Sequence, residues 1–144
     1  MGDVIFLDAN VFMYAAGKPH TYKLPCVQIL TDVEQGILRA AINTEILQEL
    51  LYRYSHIQLP HKGIQLCRDI LRYPLTVFSV TEADVQLALD LFAKYQTRGF
   101  RPRDAIHAAM MQNNGINRLI SADKDFDGLD FIARVDPASY PLDL

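Results

Sequence analysis

Four acidic positions stand where the chain can present a carboxylate to a ligand: Asp8, Glu49, Asp104 and Asp123. Asp8 ends the apolar run Val4-Ile5-Phe6-Leu7, and Asn10, two residues on, can turn back to hold it. Asp123 follows Leu119-Ile120-Ser121-Ala122 in the same manner, with Asp125 close behind. Glu49 lies among Leu47, Leu50 and Leu51, one helical turn after Glu45, and a charge in that setting needs a partner or a metal. Asp104 opens the almost wholly apolar run Ala105-Ile106-His107-Ala108-Ala109-Met110-Met111. Each acid also has a plain structural reading. Asp8 with Asn10, and Asp104, can cap the helices they precede, and Glu45 sits in a first turn where the helix dipole favours a carboxylate. His107, one turn from Asp104, fits a hydrogen-bonded core histidine better than a ligand or a base. Taken together, four carboxylates suit a different chemistry. Mg2+ and Mn2+ prefer oxygen ligands, and such an ion lowers the pKa of a bound water and offsets charge on a phosphodiester. That chemistry needs no serine, cysteine or histidine nucleophile.

The elements that must gather these residues follow from periodicity. The unbroken apolar run at 4–7 is a strand covered on both faces, as in a parallel sheet. A short helix at 11–16 stops at Gly17 and Pro19, and a second, over 24–35, carries apolar residues at 26, 27, 29, 30 and 33 before Gly36. A strand at 37–42 leads to Asn43 or Thr44, either of which can cap a helix bearing Ile46, Leu47, Leu50, Leu51 and Tyr54. Pro60 precedes a helix over 61–73, Pro74 ends it, and 75–78 is a third strand. Thr81 and Asp84 form a variant capping box for a helix reaching Gln96, and Pro102 opens a last helix that runs to Gly115. Strands at 118–121 and 131–135 complete the set. This alternation predicts an α/β fold, a mostly parallel five-stranded sheet flanked by helices, in one domain over 1–144. Ligands of such sheets bind outside the carboxyl ends of the strands. The four acids are therefore expected in one pocket there, none more than ~10 Å from the others, since ligands of one hard cation lie about 2.0–2.6 Å from it.

Charge supports a polyanionic substrate only locally. The net charge of −3 is not that of a dedicated nucleic-acid binder, which is usually basic. Between 50 and 73, however, Arg53, Lys62, Arg68 and Arg72 face only Asp69, whereas after 119 the acids Asp123, Asp125, Asp127, Asp130, Asp136 and Asp143 face only Lys124 and Arg134. A basic flank beside an acidic pocket suits a metal-dependent enzyme acting on a polyanion. Cys26 and Cys67 lack ligand spacing and are expected as buried, reduced thiols. With neither a membrane span nor a signal peptide, a cytoplasmic protein is expected. Asp123-Lys124-Asp125-Phe126-Asp127-Gly128 matches the first half of an EF-hand loop, but the twelfth position is Arg134 and strands flank the segment, which excludes a calcium sensor of that type.

With these residues in view, the chain resembles the PIN-domain ribonucleases, and among them the VapC-type toxins. The likeness is carried by Leu7-Asp8-Ala9-Asn10, by Thr44 through Glu49-Leu50, by Arg103-Asp104-Ala105-Ile106-His107-Ala108-Ala109 and by Ile120-Ser121-Ala122-Asp123-Lys124-Asp125-Phe126, in that order. The resemblance implies a Rossmann-like, PIN-like sheet on which Asp8, Glu49, Asp104 and Asp123 are catalytic and bind Mg2+ (or Mn2+). Asp125 is expected as a further metal partner and Glu45 as a weaker one, with Asn10, Ser121 and Arg103 positioning substrate. It also implies endonucleolytic cleavage of single-stranded RNA, a paired antitoxin and a homodimer. The helices between Thr44 and Tyr73, with their arginines and tyrosines, are expected to form part of the groove that receives the antitoxin and so blocks RNA entry. Ala9 and Ser121 each stand where the family commonly has Thr.

Two rival readings remain at this level. Asp8 after a first strand can be the phosphoryl-accepting aspartate of a haloacid-dehalogenase-type phosphatase, although such enzymes expect a second aspartate where Asn10 stands, and a clear downstream lysine. Alternatively, the chain is a catalytically silent module gripping RNA or protein through its basic flank. The complete set of four acids argues against that.

Overall fold

The central strand of the sheet is the one that carries Asp8. The computed structural model describes residues 3–141, so that Asp143 lies outside them. Five strands, β1 (Ile5–Leu7), β2 (Ala40–Asn43), β3 (Thr76–Phe78), β4 (Arg118–Ile120) and β5 (Ala133–Val135), pair in the order β3-β2-β1-β4-β5. Every pairing is parallel, with Ile5 beside Ala40 and Phe6 beside both Ala41 and Leu119. The middle position of β1 explains its lack of alternation: Ile5, Phe6 and Leu7 are buried on both faces.

Six helices cover the sheet: α1 (Ala9–Ala16), α2 (Lys23–Glu34), α3 (Thr44–His56), α4 (Pro60–Ile70), α5 (Glu82–Tyr95) and α6 (Pro102–Asn113). They pack as the sequential pairs α1/α2, α3/α4 and α5/α6. One continuous core joins the layers, with Phe6, Phe12, Ile42, Ile46, Leu50, Met110, Met111 and Phe126 fully enclosed. Gly63 sets the closeness of the α3/α4 pair, since a Cβ there would come 2.8 Å from Tyr54 Cβ.

Element types follow the periodicity, while several ends differ by a few residues. The second strand begins at Ala40 rather than 37. Gly36 takes a left-handed φ of 75°, and the Ile37 and Leu38 N–H groups then turn back to the Asp32 carbonyl at the end of α2. Those donors serve the helix terminus, so they cannot serve the sheet. Similarly, Ile132 donates to the Leu129 carbonyl, so the fifth strand starts at Ala133 rather than 131. Helix α5 ends at Tyr95 and passes into a 3-10 turn over Gln96–Arg98.

The connectivity matters more for the site than these boundaries. From β1 the chain builds outward through β2 to β3, then returns across the sheet by α5 and α6 to place β4 on the other side of β1. The strand order therefore reverses between β1 and β4. A crevice opens at such a switch point, outside the carboxyl ends of the two strands. Asp8 and Ser121 are the first residues beyond those ends.

Candidate active site

Three of the four expected acids are buried, although carboxylates rarely are: Asp8 is 6%, Glu49 6% and Asp104 4% exposed. Asp8 leaves β1 as the N-cap of α1, and its Oδ1 accepts the Ala9 N–H at 2.8 Å. Its Oδ2 accepts the Ser121 hydroxyl at 2.7 Å and the Asn10 amide at 3.3 Å. Ser121 Oγ in turn accepts the Asp123 N–H at 2.9 Å, and Asn10 Oδ1 accepts the Ala122 N–H at 3.2 Å. One hydrogen-bonded net thus ties the end of β1 to the turn after β4. Asn10 and Ser121, expected to position substrate, direct these bonds to Asp8 and to the turn carrying Asp123.

Asp104 lies in the first turn of α6, where its Oδ2 accepts the Arg101 N–H at 3.2 Å. Asp123 caps a 3-10 turn over Lys124–Gly128 by accepting the Asp125 N–H at 2.9 Å. The capping role and the clustering therefore coexist at Asp8, Asp104 and Asp123. Carboxylate oxygens of Asp104, Asp123 and Asp125 lie within 4.8 Å of one another. Asp8, Glu49 and His107 form a second group of the same tightness. The two groups are near enough for the Asp8 charge to help raise Asp104. Opposed ligands of one Mg2+ or Mn2+ stand about 4.2 Å apart, so these oxygen donors match a hard cation after small side-chain movements. Glu45 lines a 380 Å3 cavity beside Glu49, together with Arg101 and Arg103, but belongs to neither carboxylate group.

His107 is a donor in this arrangement. Asn43 caps α3 by accepting the Ile46 N–H at its Oδ1, which leaves its amide nitrogen to donate to His107 Nδ1 at 3.0 Å. Neutral His107 consequently carries its proton on Nε2. That nitrogen faces Glu49 Oε1 at 3.5 Å, and among the described residues neither atom has a hydrogen-bond partner. Closing by a few tenths of an ångström would complete the bond. A protonated nitrogen cannot ligate a metal, so the second group supplies two carboxylates and one donor. The Asn43 contribution carries no signal in the sequence beyond its capping position.

The electrostatics divide the site in two. Burial pushes the Asp8 carboxyl above the ordinary carboxylate range, partly offset by His107 and the Ser121 hydrogen bond. Burial also pushes Asp104 up to about 6, with the Asp123 and Asp8 charges adding to it. Asp125 moves upward too, through desolvation and the Asp123 charge. Glu49 goes the other way. Burial alone would raise it, but His107, Arg103 and Arg53 together bring it below its usual value. Both arginines lie 3.6 Å from Glu49 Oε2. Arg53 thus stands beside the site, and its i,i+4 spacing from Glu49 on α3 is the sequence signal that could have placed it there. In the half-matched calcium loop, Arg134 grips Asp127 through two hydrogen bonds of 2.7 and 3.1 Å, turning that acid away from ion binding.

The fold and site together define an α/β domain with a polycarboxylate centre at the switch point of its sheet. The PIN domain profile matches residues 5–132. Ribonuclease VapC13 of Mycobacterium tuberculosis is 35% identical over 133 residues, spanning 92% of this chain and 99% of that protein. Ribonuclease VapC23 of the same species is 31% identical over 124 residues, spanning 86% and 93%. The chain belongs to the PIN domain family, alongside the VapC ribonucleases. Among solved structures, M. tuberculosis VapC20, a sarcin-ricin loop cleaving toxin, superposes with a TM-score of 0.76 over 89% of this chain and 96% of its own. VapBC2 of Rickettsia felis, bound to a promoter DNA fragment, gives 0.70 over 92% and 98%. Both are 16% identical to this chain, a likeness of fold.

Two expectations follow. Asp104 titrates higher in the folded than in the unfolded chain, so the folded form holds its proton more tightly and metal-free stability falls as pH rises from about 4 towards 6. At pH 7, metal-free Asp104→Asn should be more stable than wild type by up to about 3 kcal/mol, with the gap narrowing towards pH 5, as read by urea denaturation. Replacing His107 with Leu leaves Glu49 Oε1 facing an apolar group and should cost about 1–3 kcal/mol, whereas Gln, which keeps a donor, should restore part of it.

Proposed function

We propose that this chain is a metal-dependent endoribonuclease that hydrolyses phosphodiester bonds of single-stranded RNA, and that it is the toxin of a toxin–antitoxin pair. The observation that carries the reading is the meeting of Asp8, Glu49, Asp104, Asp123 and Asp125 at the switch point of the sheet, with oxygen donors in two adjoining groups. Such a donor set suits Mg2+ or Mn2+. When bound, a divalent ion supplies an activated water and offsets charge on the scissile phosphate. The chain's own residues do the rest. Asn10 and Ser121 fix the Asp8 oxygens, His107 and the two arginines hold Glu49, and Arg101 and Arg103 flank the cavity beside it. Arg103, expected to position substrate, can pass from Glu49 to a phosphate oxygen with little movement, since guanidinium groups pair with both. Relatives named as ribonucleases and structural neighbours solved as toxin–antitoxin complexes support the same reading.

The phosphatase reading is weaker in the folded protein. Both Asp8 oxygens are engaged by hydrogen bonds from Ala9, Asn10 and Ser121, and none of these donors is a lysine.

A structured RNA incubated with Mg2+ or Mn2+ should be cut in its single-stranded segments, and EDTA should stop the reaction. Asp8→Asn or Asp104→Asn should lower the rate by about a hundredfold or more with unchanged circular dichroism, a loss at or beyond the range for outer partners of metal ligands. Full activity in EDTA or in either variant would refute the mechanism. The antitoxin partner belongs to the same proposal, and its expected seat is the α3/α4 hairpin. There Leu66, Ile70 and Tyr73 of the hairpin face Val27 and Leu30 of α2 across a 260 Å3 groove. Because Arg53 is turned to Glu49, charge reversal is best placed at Arg68 and Arg72. Arg68→Glu with Arg72→Glu should weaken capture of the co-expressed neighbouring small protein. Unchanged capture and inhibition would leave these arginines as a solvated face. Sedimentation velocity on the purified chain tests the expected homodimer.

A further inference from the structure

A second cavity of about 450 Å3 adjoins the carboxylates, between the end of α1 with its following loop and the turn joining α3 to α4. We infer that this cavity takes one unpaired nucleobase of the RNA strand, next to the phosphate at the carboxylate centre. The inference rests on the ribonuclease reading and names a subsite for its substrate.

Continuity comes first. Asn10 and Arg53 line the cavity. Asn10 also hydrogen-bonds Asp8, and Arg53 lies 3.6 Å from Glu49. A strand whose phosphate is held at the carboxylates can therefore continue past these two side chains into the cavity. Charge points the same way. The charged or titratable lining groups are Lys18, His20, Arg53, Lys62 and two tyrosines, with no carboxylate among them. A polyanion approaching an acidic centre needs cations of this kind beside it.

The shape of the lining fits a base better than a phosphate alone. Tyr14 and His20 stack with ring centroids 4.7 Å apart, and Lys62 Nζ stands 5.7 Å from the Tyr54 centroid. Met13, Pro19, Ile57 and Leu59 add apolar wall, and Ile57 and Leu59 are half exposed, 54% and 46%. An unpaired base covers such surface by stacking, which recognises a π face without regard to sequence. The volume lies in the range of about 300–1,000 Å3 that holds a small organic ligand. The subsite should accordingly sense the presence of a base more than its identity.

The test uses fluorescein-labelled single-stranded hexaribonucleotides, intact or with one abasic position moved along the chain, binding to Asp8→Asn in Mg2+ by fluorescence anisotropy. One abasic position should weaken binding about tenfold, within the range for loss of one base stack. Met13→Trp, which fills the cavity, and Lys62→Glu, which replaces one of its three cations with an acid without entering the core, should each weaken the intact hexamer by a similar factor. Each should also erase the abasic difference. Equal losses at every position, a penalty that survives in both variants, or no hexamer binding at all would overturn the subsite. So would variants that disturb only capture of the partner protein, because the cavity would then serve a polypeptide. Failure of the ribonuclease reading itself shows separately, as wild-type protein that cuts no RNA with either metal.

Discussion

A carboxylate at the end of the innermost strand of a sheet is the constraint around which this protein is arranged. Asp8 is nearly shut off from water, and an ionised group there is costly unless its oxygens find donors. The donors come from three places: the first turn of α1, the side chain of Asn10, and Ser121, more than a hundred residues away. Because Ser121 and Asn10 also hold backbone N–H groups of the turn after β4, keeping Asp8 satisfied simultaneously fixes where Asp123 stands. The net is local in space and remote in sequence. It exists only because β1 and β4 are neighbours at the switch point.

Like charges gathered in one crevice must also be managed, and the protein manages its two flanks differently. On the α3 side, Arg53, Arg103 and the His107 donor surround Glu49 and favour its ionised form. On the α6 side, Asp104 and Asp125 raise their affinity for protons through burial and through the charge of Asp123. The first flank is already balanced by protein cations, whereas the second gains most from an added one. Asn43 illustrates how far the support extends. By capping α3 with its oxygen it is obliged to donate from its nitrogen, which sets the histidine proton towards Glu49.

The whole-chain charge of −3 is a poor guide to the field a substrate meets. The site acids lie together in the crevice, while beside β5 Arg134 pairs with both Asp127 and Asp136. Cations meanwhile border the crevice on both open sides, Arg101 and Arg103 on one and Lys18, Arg53 and Lys62 on the other. A negative centre between positive shoulders suits a polyanion that must be bound along its length while being attacked at one point.

The order of elements and the acids themselves were legible from the sequence, because both are matters of local pattern. An unbroken apolar strand, an apolar helix opened by Pro102 and Asp104, and Asp8 and Asp123 each placed just past a strand all act over a few residues. Strand ends were less legible, since Ile37 and Leu38 are apolar yet give their N–H groups to the end of α2. Of the hydrogen-bond partners only the local ones were legible, such as Asn10 turning back to Asp8 and the Thr81/Asp84 capping box. Sequence spacing lets Asn10 turn back to Asp8, but only the adjacency of β1 and β4 brings the Ser121 hydroxyl to the same carboxylate. Glu49 shows both kinds of contact: Arg53 meets it through i,i+4 spacing on α3, which the sequence displays, whereas Arg103 reaches it from α6 only through packing. Residue types state what chemistry is possible. Which oxygen faces which donor is fixed by strand order and helix packing, because those contacts join segments that the chain itself keeps far apart.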